Sequence, residues 1–354
     1  MKNKKKLAAL MLVLAMTVSM LAGCGRPSSS AGDEGKEEGG ASEGGNAVEY
    51  VIKIAHTDSS SRSTNVAGEW LHEYLQEKTN GRVAVEMYPD GQLGDDPDLA
   101  AGVKLGTVTM YFGLASVISS IVGDEASCVD LPYLYATYDD WVEGTFENGG
   151  LELFNEALEG SGYTCLDMLY NGMRCVASRS GIYNDAAALK GQKVRIAQNE
   201  LNIALWQDMG ANPTPMAWGE VITSLSQGTV DALDHSLGVF NDFNIHEIAP
   251  YITISNHCSS PYPLICSTEW LESLPADIRA AVEEGVALMC EQQRAAERAN
   301  ELEYIKAFEA DGATVYELTA DEVAAFTAAV QPVYDTWREK VGNDVLDAWL
   351  ATVP

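Results

Sequence analysis

The chain is short of positive charge: 22 Lys and Arg stand against 52 Asp and Glu. Four of those lysines (Lys2, Lys4, Lys5 and Lys6) lie at the extreme N-terminus, so beyond residue 23 the balance is 18 against 52, about −34. Such a chain is repelled by phosphate backbones and by anionic lipid headgroups, which excludes nucleic acid as a partner. Past the first 21 residues no apolar run reaches the ~18 residues that a bilayer crossing needs, so the chain is not itself a channel. The seven cysteines form no C-x-x-C pair and the five histidines no H-x-x-x-H spacing. No metal site is therefore expected. There is no G-x-S-x-G elbow and no glycine-rich phosphate loop, so neither an enzyme nor a cofactor is indicated.

What is present begins with a targeting segment. The lysines form a positive n-region, and Leu7 to Leu21 follows as an apolar stretch too short to span comfortably but of signal-peptide length. Leu21-Ala22-Gly23-Cys24 then reads as a lipobox, in which cleavage after residue 23 leaves Cys24 to carry the lipid; an ordinary cleaved signal peptide is the alternative. With two or more acyl chains the anchor is stable. Residues 24–47, rich in Gly, Ser and Glu, cannot bury enough apolar surface to offset their ordering entropy. They are expected to form a flexible tether with a reach of roughly 25 Å.

Residues 48–354 suffice for one large or two medium domains. Val51–Ala55 reads as a strand, and an amphipathic helix with Trp70, Leu71, Tyr74 and Leu75 on one face follows, closed by Asn80-Gly81. Val83, Val85 and Met87 alternate as a second strand, Asp96-Pro97 opens a helix ending near Gly106, and residues 108–112 read as a third strand. The rhythm recurs: strands are expected at 162–169, 175–178, 194–197 and 230–233, with helices at 201–209 and 219–227. This is the mark of an α/β fold, and two passes suggest two lobes. From Leu274 to Ala310 apolar residues recur at helical spacing with no Pro after Pro275 and Gly285 as the one Gly. An unbroken helix there would be roughly 50 Å long and would lie across both lobes; two helices broken near 290–300 are the alternative. A capping box at Thr319–Glu322 starts a final helix expected to run to about Lys340. Cys165 and Cys175 could pair across a hairpin at Asn171-Gly172, or remain buried free thiols.

Several ordered blocks carry a resemblance. They are the run Thr79 to Asp96, Asp130-Leu-Pro-Tyr-Leu-Tyr135, Tyr170-Asn-Gly-Met-Arg174, Leu189-Lys-Gly-Gln-Lys-Val-Arg195, Gly210 to Val221, Asn256-His257 and Trp270 to Pro275. Together, over about residues 50–340, they resemble the solute-binding proteins of tripartite ATP-independent periplasmic (TRAP) transporters, the dicarboxylate-binding-protein family. The resemblance implies an α/β, two-lobed, periplasmic-binding-protein-like fold with hinge strands and one long helix spanning both lobes. Lobe I is expected to comprise 48–171 with 261–300, and lobe II 172–260 with 301–354. It also implies a receptor outside the cell membrane that hands a small organic carboxylate to a permease driven by an ion gradient. A sensor subunit presenting ligand to a membrane kinase would use the same clamp; an exported enzyme is the weaker alternative.

Six residues are candidates for the site. Arg195 lies inside the apolar strand Val194-Arg-Ile-Ala197, where a guanidinium must find a partner. A structural ion pair would satisfy it, but in the family the corresponding Arg grips the ligand carboxylate, which its planar fork matches and Lys does not. The resemblance makes Arg174 a second polar contact and Trp218 an aromatic wall against the ligand. Where relatives often read Gly-Gln-Glu-Asn-Pro this chain has Ala232-Leu-Asp-His-Ser236, which places Asp234 at the usual Glu and His235 at a ligand-contacting Asn. Asp234 could instead hold a cation. His56, at the end of the first strand, is expected to face the cleft, because ligands sit at strand carboxyl ends.

Overall fold

The computed structural model describes residues 47–354; the targeting segment, Cys24 and nearly all of the tether lie outside the described residues. Eleven strands are found among them: β1 (Tyr50–Ala55), β2 (Val83–Tyr88), β3 (Met110–Phe112), β4 (Tyr163–Tyr170), β5 (Arg174–Ser178), β6 (Lys193–Ile196), β7 (Asn212–Pro215), β8 (Ala232–Ser236), β9 (Tyr251–Ile254), β10 (Pro261–Ser267) and β11 (Thr314–Glu317). They form two sheets. The first has the order β2-β1-β3-β10-β4, with β1 parallel to β2 and β3, and β10 antiparallel to β3 and β4. The second has the order β11-β9-β5-β8-β6-β7, with β5 antiparallel to both β8 and β9. The chain passes between the sheets at residues 171–173 and again at 255–260. This is the expected two-lobed α/β fold.

Helix α1 (Ser63–Lys78) buries Leu71 and Leu75 completely and rests Trp70 and Tyr74 on the same cluster. Asn80 and Gly81 take φ of 53° and 83°, the left-handed conformations that stop a helix. Helix α2 (Asp96–Leu105) opens with Pro97 in its first turn and closes on Gly106 at φ 73°; α3 (Ala115–Val122) follows β3 directly. The strand expected at 230–233 is displaced to Ala232–Ser236.

The helix Ala276–Ala310 is continuous over 35 residues, so the broken alternative is not adopted. At 1.5 Å per residue it is roughly 52 Å long. Its buried face changes character along its length. Ile278, Ala281, Val282, Val286 and Met289 enter the core of the first sheet, and Phe308 that of the second. Between Cys290, the last residue of the first cluster, and Phe308 the buried positions are polar: Gln293, Glu297 and Glu301, four residues apart. Gln293 accepts from the backbone N–H of Tyr170 (2.8 Å) and donates to its carbonyl (2.9 Å), and the Tyr170 hydroxyl donates to Glu301 Oε1 (2.9 Å). The polar stretch thus satisfies the backbone where the chain leaves the first sheet.

The expectations for the final helix and for the Cys165–Cys175 hairpin are corrected here. The final helix does not run through: Ala320–Ala329 and Gln331–Val341 are separate, because Pro332 in the first turn of the second cannot donate to the preceding turn, and Asn343–Ala351 follows. Residues 331–354, assigned by sequence to lobe II, also pack on 124–158: Trp337 Nε1 donates to Ser127 Oγ (2.6 Å), and Tyr135 and Thr352 share a hydroxyl hydrogen bond of 2.7 Å. Cys165 and Cys175 do not face each other across a hairpin, since β4 and β5 belong to different sheets and Asn171-Gly172 is the passage between them. All six described cysteines are buried free thiols.

Candidate functional site

A cavity of ≈310 Å³ lies between the carboxyl ends of strands from both sheets, the location expected for ligands of α/β folds. The first sheet contributes His56 after β1, Phe112 at the end of β3, Tyr262 in β10, and Asp96 at the start of α2. The second contributes Arg195 in β6, Trp218 and His235. His56 stacks on Phe112 with ring centroids 4.5 Å apart.

Arg195 is 3% exposed, yet no acidic side chain forms an ion pair with it among the described residues. Its Nη2 donates to the carbonyl of Met216 (2.6 Å), while Nε and Nη1 have no hydrogen-bond partner. Its Cζ lies 5.4 Å from the centre of the Trp218 ring, and Trp218 meets His235 edge-on at 5.3 Å. Burial, with the charge of Arg174 nearby, pushes the guanidinium down to about 9, a sign that the cation lacks an anion.

Arg174 and Asp234 are placed differently from Arg195. Neither lines the cavity. Cross-strand pairing of β5 with β8 brings them together, and Arg174 Nε donates to Asp234 Oδ1 at 2.7 Å while its Nη2 donates to the Asp234 carbonyl at 2.8 Å. Asp234 is fully buried and also accepts from Trp206 Nε1 (2.9 Å) and His257 Nε2 (3.1 Å). Although burial opposes ionisation, Arg174 and His257 hold its carboxyl well below the usual carboxylate range. Every polar atom of Asp234 is therefore occupied by protein, and among the described residues no cluster of metal-ligating side chains is present there or elsewhere.

The two cavity histidines have defined tautomers. His235 Nδ1 accepts from the Ser236 N–H (2.9 Å), which leaves the proton on Nε2. Burial and the charges of Arg174 and Arg195 push its pKa well below the ordinary value. His56 Nε2 lies 3.3 Å from Asn65 Oδ1, and Asn65 Nδ2 donates to the Ser60 carbonyl (3.0 Å) and to Glu69 (3.3 Å). Those two acceptors orient the amide, so its oxygen faces His56 and the imidazole donates from Nε2. Burial lowers the pKa of His56 as well. At pH 6 a free imidazole, with a pKa of about 6.5, is mostly charged. The His235 ring is expected to remain neutral and Nε2-protonated there, as read from its ¹⁵N shifts; a charged ring at pH 6 would contradict its burial against the two arginines.

Sequence reasoning passed over Asp96, Asp58 and Arg62. Burial raises Asp96 to about 6, and its Oδ1 accepts from Thr57 Oγ1 (3.0 Å). Asp58 is satisfied by Arg62 (3.3 Å), Thr64 (2.8 Å) and the Tyr262 hydroxyl (3.3 Å). Arg62 also donates to the Asn171 carbonyl (2.9 Å) and to Glu297 (3.2 Å), which joins the cavity floor to the interlobe passage and the long helix. A Cβ on Gly238 would stand 2.3 Å from Glu297 Oε1 and 2.8 Å from Arg62 Nη2, so the close approach there requires glycine. Asp96 falls inside the Thr79–Asp96 block and could have been singled out; Arg62, in a polar Ser-rich loop, carries no signal that separates it from a solvated residue.

Two α/β lobes about a cavity that holds an unpaired cation have the build of an extracytoplasmic solute receptor rather than an enzyme. The family model of bacterial extracellular solute-binding protein, family 7, matches residues 54–340, and the chain belongs to that family. It is similar to the C4-dicarboxylate-binding periplasmic protein DctP of Rhodobacter capsulatus, with 27% identity over 299 residues that cover 84% of this chain and 89% of the relative. Among solved structures, the sugar acid binding protein DctPAm of Advenella mimigardefordensis shares the fold, with a TM-score of 0.81, 23% identity, and coverage of 87% of this chain and 98% of that one. A TRAP periplasmic solute binding protein of Chromohalobacter salexigens, solved with bound D-glucuronate, gives a TM-score of 0.78 at 26% identity, covering 84% and 97%.

Proposed function

We propose that the protein captures a small organic carboxylate outside the cell membrane, held there by a lipid on Cys24, and delivers it to the membrane permease of a TRAP transporter driven by an ion gradient. The observation that carries this reading is Arg195: a buried guanidinium with two unpartnered donor nitrogens facing a cavity of ligand size. An incoming carboxylate supplies both the missing charge and the acceptors for a two-pronged contact. Trp218 offers a flat wall beside it, His235 a neutral N–H, and His56 a contact from the opposite lobe. Arg174 and Asp234 act one layer back: their ion pair fixes the end of β8 and with it the position of His235. The named ligands of the relatives from Rhodobacter and Chromohalobacter, a C4-dicarboxylate and glucuronate, are both carboxylates. The lobes, taken as 48–171 with 261–300 and 172–260 with the remainder, would close about the passages at 171–173 and 255–260.

The reading is tested by thermal shift against a panel of organic acids, neutral sugars and amines. A carboxylate at 100 times its Kd adds about 2.7 kcal/mol to folding and shows as a clear rise in melting temperature. A panel in which only neutral sugars or amines raise the melt would overturn it.

A further inference from the structure

The polar atoms left free in the cavity are sorted by lobe. On the wall from the second sheet they are donors: Arg195 Nε and Nη1, and the Nε2–H of His235. On the wall from the first sheet the imidazole and the carboxylates are acceptors, and Ser116 adds a hydroxyl that can donate or accept. His56 is 1% exposed and lines the cavity, and its Nδ1 has no partner. Because Nε2 donates to Asn65, Nδ1 is the unprotonated nitrogen and can only accept. Asp96 also lines the cavity, where one of its oxygens accepts from Thr57 and its charge adds to the wall. Asp58 is fully engaged by Arg62, Thr64 and Tyr262, and so adds charge but no free acceptor strength. Arg62 does not line the cavity: it donates to Asp58, Asn171 and Glu297, and its remaining nitrogen, Nε, is turned toward Asp242 at 3.9 Å.

We infer that the ligand is a carboxylate whose far end donates hydrogen bonds, through hydroxyl or ammonium groups, and that His56 and Asp96 select it over a dicarboxylate. The inference rests on the reading of the site as a carboxylate receptor and adds which carboxylates it takes. A second carboxylate would meet an acceptor-only imidazole nitrogen and the carboxylates of Asp58, Asp95, Asp96 and Asp98, with no Lys or Arg among the lining residues of that wall to offset its desolvation. A bare alkyl chain would leave His56 Nδ1 buried and unpaired. A hydroxyl or ammonium satisfies both groups. Discrimination by hydrogen bonding is strong in such a site, because the wrong ligand leaves buried polar atoms unmatched.

The test is isothermal titration calorimetry of the purified protein with gluconate, 4-aminobutanoate, succinate and butanoate. At least one donor-bearing acid is expected to bind about 10-fold or more tightly than both succinate and butanoate. Which of the two it is separates hydroxyl from ammonium as the donor. Asp96→Asn, which keeps the shape but removes the charge and adds a donor, is expected to weaken the preferred acid and bring succinate to within a few-fold of it. Succinate equal to or tighter than both donor-bearing acids in the unaltered protein would overturn the inference while leaving the carboxylate reading intact. If none of the four acids bound and only non-acids shifted the melt, both would fall. The ranking in the unaltered protein decides the matter even if Asp96→Asn fails to fold.

Discussion

Arg195→Met is expected to weaken carboxylate binding severely and, at the same time, to raise the melting temperature of the ligand-free protein. The two effects have one cause. The guanidinium is buried with two nitrogens unpaired and no acid in ion-pair contact, so the empty receptor carries the desolvation cost of a charge that nothing repays. Methionine fills a similar volume and removes that cost, worth roughly 1–3 kcal/mol and a few degrees. Binding loses its charged fork, a change expected to weaken affinity by ~10²–10³-fold, about 3–4 kcal/mol. Arg195→Lys separates charge from geometry: it keeps the cation but not the fork, and at least ~10-fold weaker binding is expected, about 1.4 kcal/mol. Calorimetric titration and a thermal melt of each variant decide the question. Unchanged affinity in both would return Arg195 to a structural role, and a lower melting temperature for the methionine variant would show that its charge is compensated in the empty state.

Asp234→Ala is expected to do the opposite, costing the fold about 3–5 kcal/mol, because it strands a buried Arg174 cation together with the donors of Trp206 and His257. The fall in melting temperature should be on the order of 10 °C. Urea denaturation of the ligand-free protein measures it directly. A residue that served mainly as a ligand contact would lower affinity and leave this measurement nearly unchanged, so an Asp234→Ala variant of undiminished stability would return Asp234 to the candidate ligand contacts.

The contrast between these two residues shows how far the sequence was legible. Arg195 stood out because it interrupts an apolar strand, and a lone charge between Val194 and Ile196 poses its question without any structure. The long helix was visible too, since no Pro follows Pro275 within it, although a break near 290–300 stayed open until the structure showed it continuous. Arg174 and Asp234 lie 60 residues apart and meet through the antiparallel register of β5 and β8, which no local pattern encodes. Both were therefore read as candidate site residues, whereas neither lines the cavity of this structure. The tautomers of His56 and His235 depend on an amide of α1 and on a single backbone N–H, and so emerge only with the tertiary structure. The stripe Gln293, Glu297, Glu301 falls on the buried spacing of its helix and looks like a solvated face until the interlobe passage is seen to lie against it.

The order of the first sheet also bears on how the chain is made. β10 sits between β3 and β4, yet residues 171–260 separate it from β4 along the chain. At about 5–20 residues per second, roughly 5–18 s of synthesis pass between the completion of β4 and the arrival of the strand that joins it to its neighbours. Until then β3 and β4 present unpaired edges and the first lobe has no closed core. The late arrival of one central strand thus delays closure of the first lobe until most of the second has been synthesised.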